Sequence, residues 1–148
     1  MTRLIPVLLF LALAVSGCSK GASGDAALPQ APAGKSSGWE IKYTAVVALA
    51  RRGSDRVKDH FDTLLDMLDE SQQQANCKTK GRDGHDVVND QAATSNVTTA
   101  LKAVAELHRR RPEMDLTQLI PAIDKLTQSS NPVIRTEAEK TKLALGQK

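Results

Sequence analysis

The sequence predicts an all-α domain of about five helices over residues 38–148. Apolar residues in this region recur at intervals of three and four, as they do on the buried face of a helix. No stretch shows the alternation of apolar and polar residues that is typical of a half-buried strand. Short segments containing glycine, proline or serine separate the helical patterns, so consecutive helices are expected to lie side by side and antiparallel.

The first two predicted helices are joined by Gly53 and Ser54. The first covers residues 38–52, and Gly53 follows it where a left-handed cap is favoured. The second covers residues 55–70 and begins after Ser54. Their predicted inner-face residues are Ile41, Ala45, Ala48, Leu49, Val57, Phe61, Leu64, Leu65 and Leu68.

Two further helices are predicted after a long connection. The third ends at Arg110. Residues 94–99 are rich in threonine and have low helix propensity, so the pattern places the start of this helix only within residues 86–96. The fourth covers residues 115–128, and Pro121 is expected to bend it. Their predicted inner-face residues are Val97, Leu101, Val104, Leu107, Leu116, Leu119, Ile120, Ile123 and Leu126.

The fifth predicted helix begins at Asn131 and Pro132, a capping residue followed by a proline suited to the first helical position. Gly146 ends it. Its predicted inner-face residues are Ile134, Ala138, Thr141 and Leu145.

One pattern occurs in both the first and the fifth helix. Ile41-Lys42-x-x-Ala45 recurs as Ile134-Arg135-x-x-Ala138. An apolar residue, a basic residue and a small alanine at this spacing resemble a HEAT repeat, although the third helix lacks the basic residue. The resemblance implies a short HEAT-like α-α solenoid of two repeats and one unpaired helix, over most of residues 38–145. A generic helical bundle is the competing interpretation.

The N-terminal segment has the organisation of an export signal. Arg3 is followed by an apolar run from Leu4 to Val15, which is shorter than the roughly 20 residues that span a bilayer and suits a signal peptide. Val15-Ser16-Gly17-Cys18 resembles the lipobox of bacterial lipoproteins. The resemblance implies cleavage before Cys18, a diacylglycerol on its thiol and an acyl chain such as palmitate on its amine. The alternative is an ordinary signal peptide followed by a chance cysteine.

Lipidation of Cys18 would give a permanent membrane tether, because each buried methylene contributes about 0.8 kcal/mol and two or three chains hold a protein stably. Residues 1–17 are then the cleaved signal peptide. Residues 18–37 comprise the lipidated cysteine and a linker rich in Gly, Ala, Ser and Pro, which is expected to be disordered. Ser19 after the cysteine favours the outer membrane over the inner membrane, as the resemblance implies.

The charge balance argues against a nucleic-acid partner. The chain has 20 Lys and Arg and 17 Asp and Glu, and removal of Arg3 leaves 19 minus 17, a charge of +2. This charge is too small for a typical nucleic-acid interface. The sequence lacks HExxH, GxSxG and zinc-type cysteine spacings, so no enzyme activity, metal site or cofactor is predicted.

Five carboxylates in the second predicted helix form the candidate binding site. They are Asp55, Asp59, Asp62, Asp66 and Asp69. Steps of four, three, four and three residues place them on one stripe of a helix. Such a stripe could bind a basic protein partner or calcium, or it could be a solvated face.

Residues 71–90 form the long connection before the third helix. They contain Cys77, which is left unpaired once Cys18 carries lipid, followed by three basic residues, two glycines and His85. Long connections in small domains are either functional or disordered, so this segment is either a contact loop or a mobile connector.

These observations predict a lipid-anchored protein of the bacterial envelope whose helical domain, in the periplasm or at the cell surface, binds another protein as an adaptor or scaffold. Extended helical arrays offer broad surfaces for such binding. The alternatives are an accessory or ligand-binding subunit of an envelope enzyme and a purely structural envelope lipoprotein.

Overall fold

A computed structural model of the chain describes residues 38–146 and shows a mostly helical domain. Its α-helices are α1 Gly38–Arg52, α2 Phe61–Leu68, α3 Glu70–Asn76, α4 Asp90–Arg110, α5 Ile120–Leu126 and α6 Pro132–Ala144. Short 3-10 segments, Asp55–His60 and Thr117–Leu119, precede α2 and α5. An antiparallel hairpin links α3 to α4, with strands β1 Lys78–Lys80 and β2 Asp86–Val88. Within residues 38–146, no helix is both long and apolar enough to cross a membrane.

The long helix α4 organises the core. It contacts α1, α2, α3 and α6, while α5 packs on α6 and on α2. Seven side chains of α4 are buried, and five of them are alanine or valine residues that let neighbouring helices approach closely. The buried residues of α4 are Ala93, Val97, Ala100, Leu101, Ala103, Val104 and Leu107.

Several predicted helix ends are confirmed. Gly53 follows α1 with a φ of 68°, the left-handed conformation that glycine adopts most readily. The side chain of Asn131 accepts hydrogen bonds from the backbone N–H groups of Val133 and Ile134, at 3.0 and 3.4 Å. Gly146 follows α6 with a φ of 72°.

The second predicted helix is wrong in its extent, because the chain changes direction at Asp69. Residues 55–60 are a 3-10 segment, and α2 ends at Leu68. Asp69 has an extended backbone, and its side chain accepts hydrogen bonds from the N–H groups of Ser71 and Gln72. It thereby starts α3 as an N-cap, a role that aspartate performs well.

The predicted bend at Pro121 is also wrong. The α-helix begins only at Ile120, so Pro121 lies in the first turn of α5. Backbone N–H groups in the first turn of a helix have no acceptor within the helix, so a proline there costs no hydrogen bond. The 3-10 segment before it contributes the buried Leu119.

The predicted inner face of α1 is wrong for three of its four residues, whereas the fourth, Leu49, is half-buried against the core. Ile41 is 64% exposed, and Ala45 and Ala48 are exposed. The opposite face packs into the core through Tyr43, Val46, Val47 and Ala50. Both faces of α1 are apolar, so spacing does not select between them, and the face with the larger side chains removes more apolar area from water.

The hairpin was not predicted. Lys78 pairs with Val88, Thr79 with Val87 and Lys80 with Asp86. Every residue of β1 and β2 is exposed, so neither strand shows the alternation of a half-buried strand. The connection at residues 71–90 is therefore the helix α3 followed by an exposed hairpin.

Candidate functional site

Cys18, the predicted lipidation site, lies outside the described residues 38–146, as do the export signal and the linker. The candidate site within the folded domain is the set of five aspartates. Because Asp55 and Asp59 lie in the 3-10 segment and Asp69 lies beyond the end of α2, the five do not form one continuous stripe of a single α-helix.

Asp55 connects the start of this segment to the end of α4. Its carboxylate accepts a hydrogen bond from Nη2 of Arg111 over 2.8 Å, and Lys58 Nζ lies 3.9 Å away. Nη1 of Arg111 also donates to the carbonyl oxygen of Gly53 over 3.2 Å. Asp55 and Arg111 thus hold the turn after α1 against the end of α4, a structural role.

Asp69 has a structural role as well, since its side chain caps α3. Asp59, Asp62 and Asp66 remain, and we refer to these three as the acidic row. All three are exposed and form no salt bridge with another residue of the described range. Asp62 and Asp66 lie on α2, and Asp59 lies in the 3-10 segment before it.

The acidic row adjoins an apolar groove of about 350 Å³ between α1 and α2, which we call the α1–α2 groove. Lys42 lies on its α1 side, and Asp62 lies on its α2 side. The other lining residues are Ile41, Ala45, Val46, Leu49, His60 and Thr63. The groove therefore combines an apolar surface with one cation and one carboxylate.

The structure also contains a buried polar network that sequence reasoning missed. Nε2 of Gln73 donates to the hydroxyl of Tyr43 over 3.0 Å and to the carbonyl oxygen of Asp66 over 2.8 Å. Oε1 of Gln73 accepts from Nδ2 of Asn96 over 3.0 Å. Gln73 is fully buried. These hydrogen bonds pair the polar groups of its side-chain amide, which would be costly to bury without partners. A glutamine within the polar run at residues 72–74 carries no sequence signal for burial.

Cys77 lies beside this network. Its thiol is buried and accepts a hydrogen bond from Nδ2 of Asn96 over 3.4 Å. Burial raises the pKa of the thiol, and the negative charge of Glu40 raises it further. Cys77 is therefore protonated at neutral pH, which lowers its nucleophilicity.

Arg109 and Arg110 at the end of α4 form ion pairs with a glutamate of the same helix. Arg109 forms a two-point hydrogen-bonded pair with Glu106, at 2.6 and 2.7 Å, and Arg110 also donates to Glu106. These hydrogen bonds lower the pKa of Glu106 from 4.5 to about 2. The cations also complement the C-terminal end of the helix dipole.

His60 and His85 are exposed, and His108 is half-buried. Within residues 38–146, no group of three His, Cys, Asp or Glu side chains could hold a metal ion. Comparisons with protein-family models, with curated proteins and with solved structures found no match for this chain.

Proposed function

We propose that the protein is a lipid-anchored component of the bacterial cell envelope whose helical domain binds another protein without catalysing a reaction. The observation that carries this proposal is the sequence Val15-Ser16-Gly17-Cys18 after a twelve-residue apolar run. A lipid on Cys18 would hold the chain at the membrane, with the outer membrane favoured. The folded domain would then act in the periplasm or at the cell surface.

We infer that the domain is a short solenoid of helix pairs. α1 packs on α2 and α5 packs on α6, while α4 contacts α1 and α6. Contacts of this kind are expected in an array in which each helix pair packs against the next. The capped start of α6 at Asn131 and the buried Ala138 support the HEAT-like pattern there, whereas the exposed Ala45 argues against it in α1.

The acidic row supports a basic protein as the partner. Its three carboxylates are exposed and lack ion pairs within the described domain, so a cationic surface could approach them without first breaking internal contacts. Asp62 and Asp66 are like charges four residues apart in α2, an arrangement that weakens a helix slightly. This cost to the fold favours a role in binding over a purely structural one.

Incorporation of radiolabelled palmitate into the full chain tests the anchor. The wild type and the Cys77→Ala variant are expected to carry the label, whereas the Cys18→Ala variant is expected to lose it. The two variants each remove one of the two cysteines of the chain, so they are matched in chemistry. Label retained in the Cys18→Ala variant, or absent from the wild type, contradicts the proposed anchor.

A further inference from the structure

The middle of the solvent-facing side of α1 is apolar, although charged residues are exposed towards both ends of the helix. Ile41 is 64% exposed, and between Lys42 and Arg51 the exposed residues are Thr44, Ala45 and Ala48. The other side of α1 is already buried in the core. A helix that is apolar on both sides is typical of one that packs on both sides.

The exposed surfaces of α1 and α6 both carry apolar residues, but they differ in charge. α6 exposes Val133 at 58% and Leu143 at 71%, together with the charged Arg135, Glu139 and Lys140. α1 exposes no charged residue between Lys42 and Arg51. This stretch of α1 therefore presents small and apolar side chains without the charges that accompany them on α6.

The charges beside this surface indicate what covers it. Lys42 on α1 and Asp62 on α2 are exposed on the two sides of the α1–α2 groove and form no salt bridge with each other. A surface that carries both members of an ion pair can be complementary to itself. In a twofold dimer, each Lys42 can meet Asp62 of the other copy, and the small side chains Ala45 and Ala48 allow two α1 helices to approach closely.

We propose that the protein forms a twofold symmetric homodimer through antiparallel contact of the exposed sides of α1, with Ala45 close to the axis. Ile41 of each copy then occupies the apolar α1–α2 groove of the other. α1 has 15 residues and spans about 22 Å, so the interface is small. The dimer does not depend on the lipid anchor, and it shares one residue, Asp62, with the acidic row.

Cross-linking of the full chain with a short bis-maleimide tests the position of the axis. Ala45→Cys is expected to give at least about fivefold more cross-linked dimer than Ala144→Cys, because residues near a twofold axis lie close to their own copies. Both alanines are exposed and helical, so the pair is matched. The wild type measures the background from its own cysteines. Equal cross-linking of the two variants overturns the proposal.

Charge exchange tests the predicted ion pair in the Ala45→Cys background. Lys42→Asp alone and Asp62→Lys alone are each expected to lower the cross-linked fraction about tenfold, because the twofold axis creates two like-charge contacts. The combination of Lys42→Asp with Asp62→Lys is expected to restore cross-linking. Failure of the double variant to recover, with circular dichroism unchanged, overturns the proposed pairing and favours a different occupant of the groove.

Discussion

The side-chain amide of Gln73 on α3 donates a hydrogen bond of 3.0 Å to the hydroxyl of Tyr43 on α1, although the two residues are thirty positions apart. The same amide binds the carbonyl oxygen of Asp66 in α2 and accepts from Asn96 in α4. One buried side chain therefore joins four helices. A second donor, Asn76, reaches the same hydroxyl over 3.2 Å.

Replacement of Gln73 by leucine is expected to lower the free energy of unfolding by about 1–3 kcal/mol, because it leaves buried polar partners unpaired. Gln74→Leu is the matched control, since Gln74 is exposed in the same helix. Urea denaturation of the two variants measures the difference. Equal denaturation midpoints would contradict a stabilising role for the network.

Glutamate substitutions at two equivalent alanines test the register of α1 and α6. Ala138 is fully buried, so Ala138→Glu is expected to cost about 3–5 kcal/mol through a buried, unpaired carboxylate, enough to unfold a small domain. Ala45 is exposed, and Ala45→Glu is expected to change stability by less than about 0.5 kcal/mol. Thermal unfolding of dilute protein checks both values, and severe destabilisation by Ala45→Glu would mean that α1 buries its other face.

The contrast between these two alanines shows which buried residues can be predicted from the sequence alone. In α6, the exposed residues include the charged Arg135, Glu139 and Lys140, so spacing identifies the buried Ile134 and Ala138. In α1, the residues on both faces are apolar, and only tertiary packing decides that Tyr43 and Val46 are buried instead of Ile41. Caps at Gly53 and Asn131 were predictable because their chemistry is local.

The candidate site was predictable only in part. The aspartates were identifiable from their spacing, but their separate roles depend on distant partners. Asp55 pairs with Arg111, which lies fifty-six positions away. Asp69 caps α3, a helix that the sequence spacing does not separate from α2. The groove that Asp62 borders arises from the packing of α1 beside α2, and no single-segment pattern encodes it.

The pair formed by Glu106 with Arg109 and Arg110 predicts a pH-dependent contribution to stability. Since folding lowers the pKa of Glu106 from 4.5 to about 2, its contribution is fully present above pH 4.5 and is lost as the pH falls towards 2. Glu106→Gln is therefore expected to destabilise the domain at pH 7 and to have a progressively smaller effect below pH 4.5. Urea denaturation across this pH range measures it, with Glu139→Gln as an exposed control.

If the difference between wild type and Glu106→Gln were the same at pH 7 and pH 2.5, the ion pairs would contribute nothing to it. The residual effect would then come from helix propensity or from packing, neither of which changes with protonation of Glu106.

Neutralisation of two members of the acidic row tests its role in partner binding. Asp59→Asn combined with Asp66→Asn leaves Asp62, the residue of the α1–α2 groove, in place. Because both side chains are exposed and unpaired within the described domain, helicity and melting temperature are expected to be unchanged or slightly raised by relief of repulsion. Capture of envelope proteins by the tagged full chain is expected to weaken, most strongly at low salt, where surface charges steer association.

A double variant on other surfaces, Asp90→Asn with Glu139→Gln, removes the same number of charges and separates an effect of the acidic row from one of net charge. Partners that are lost only with the acidic-row variant, and that are released from wild type by added salt, would have the basic surface that the three carboxylates require. If both double variants captured the same proteins equally at every salt concentration, the acidic row would be a solvated helix face with no part in binding.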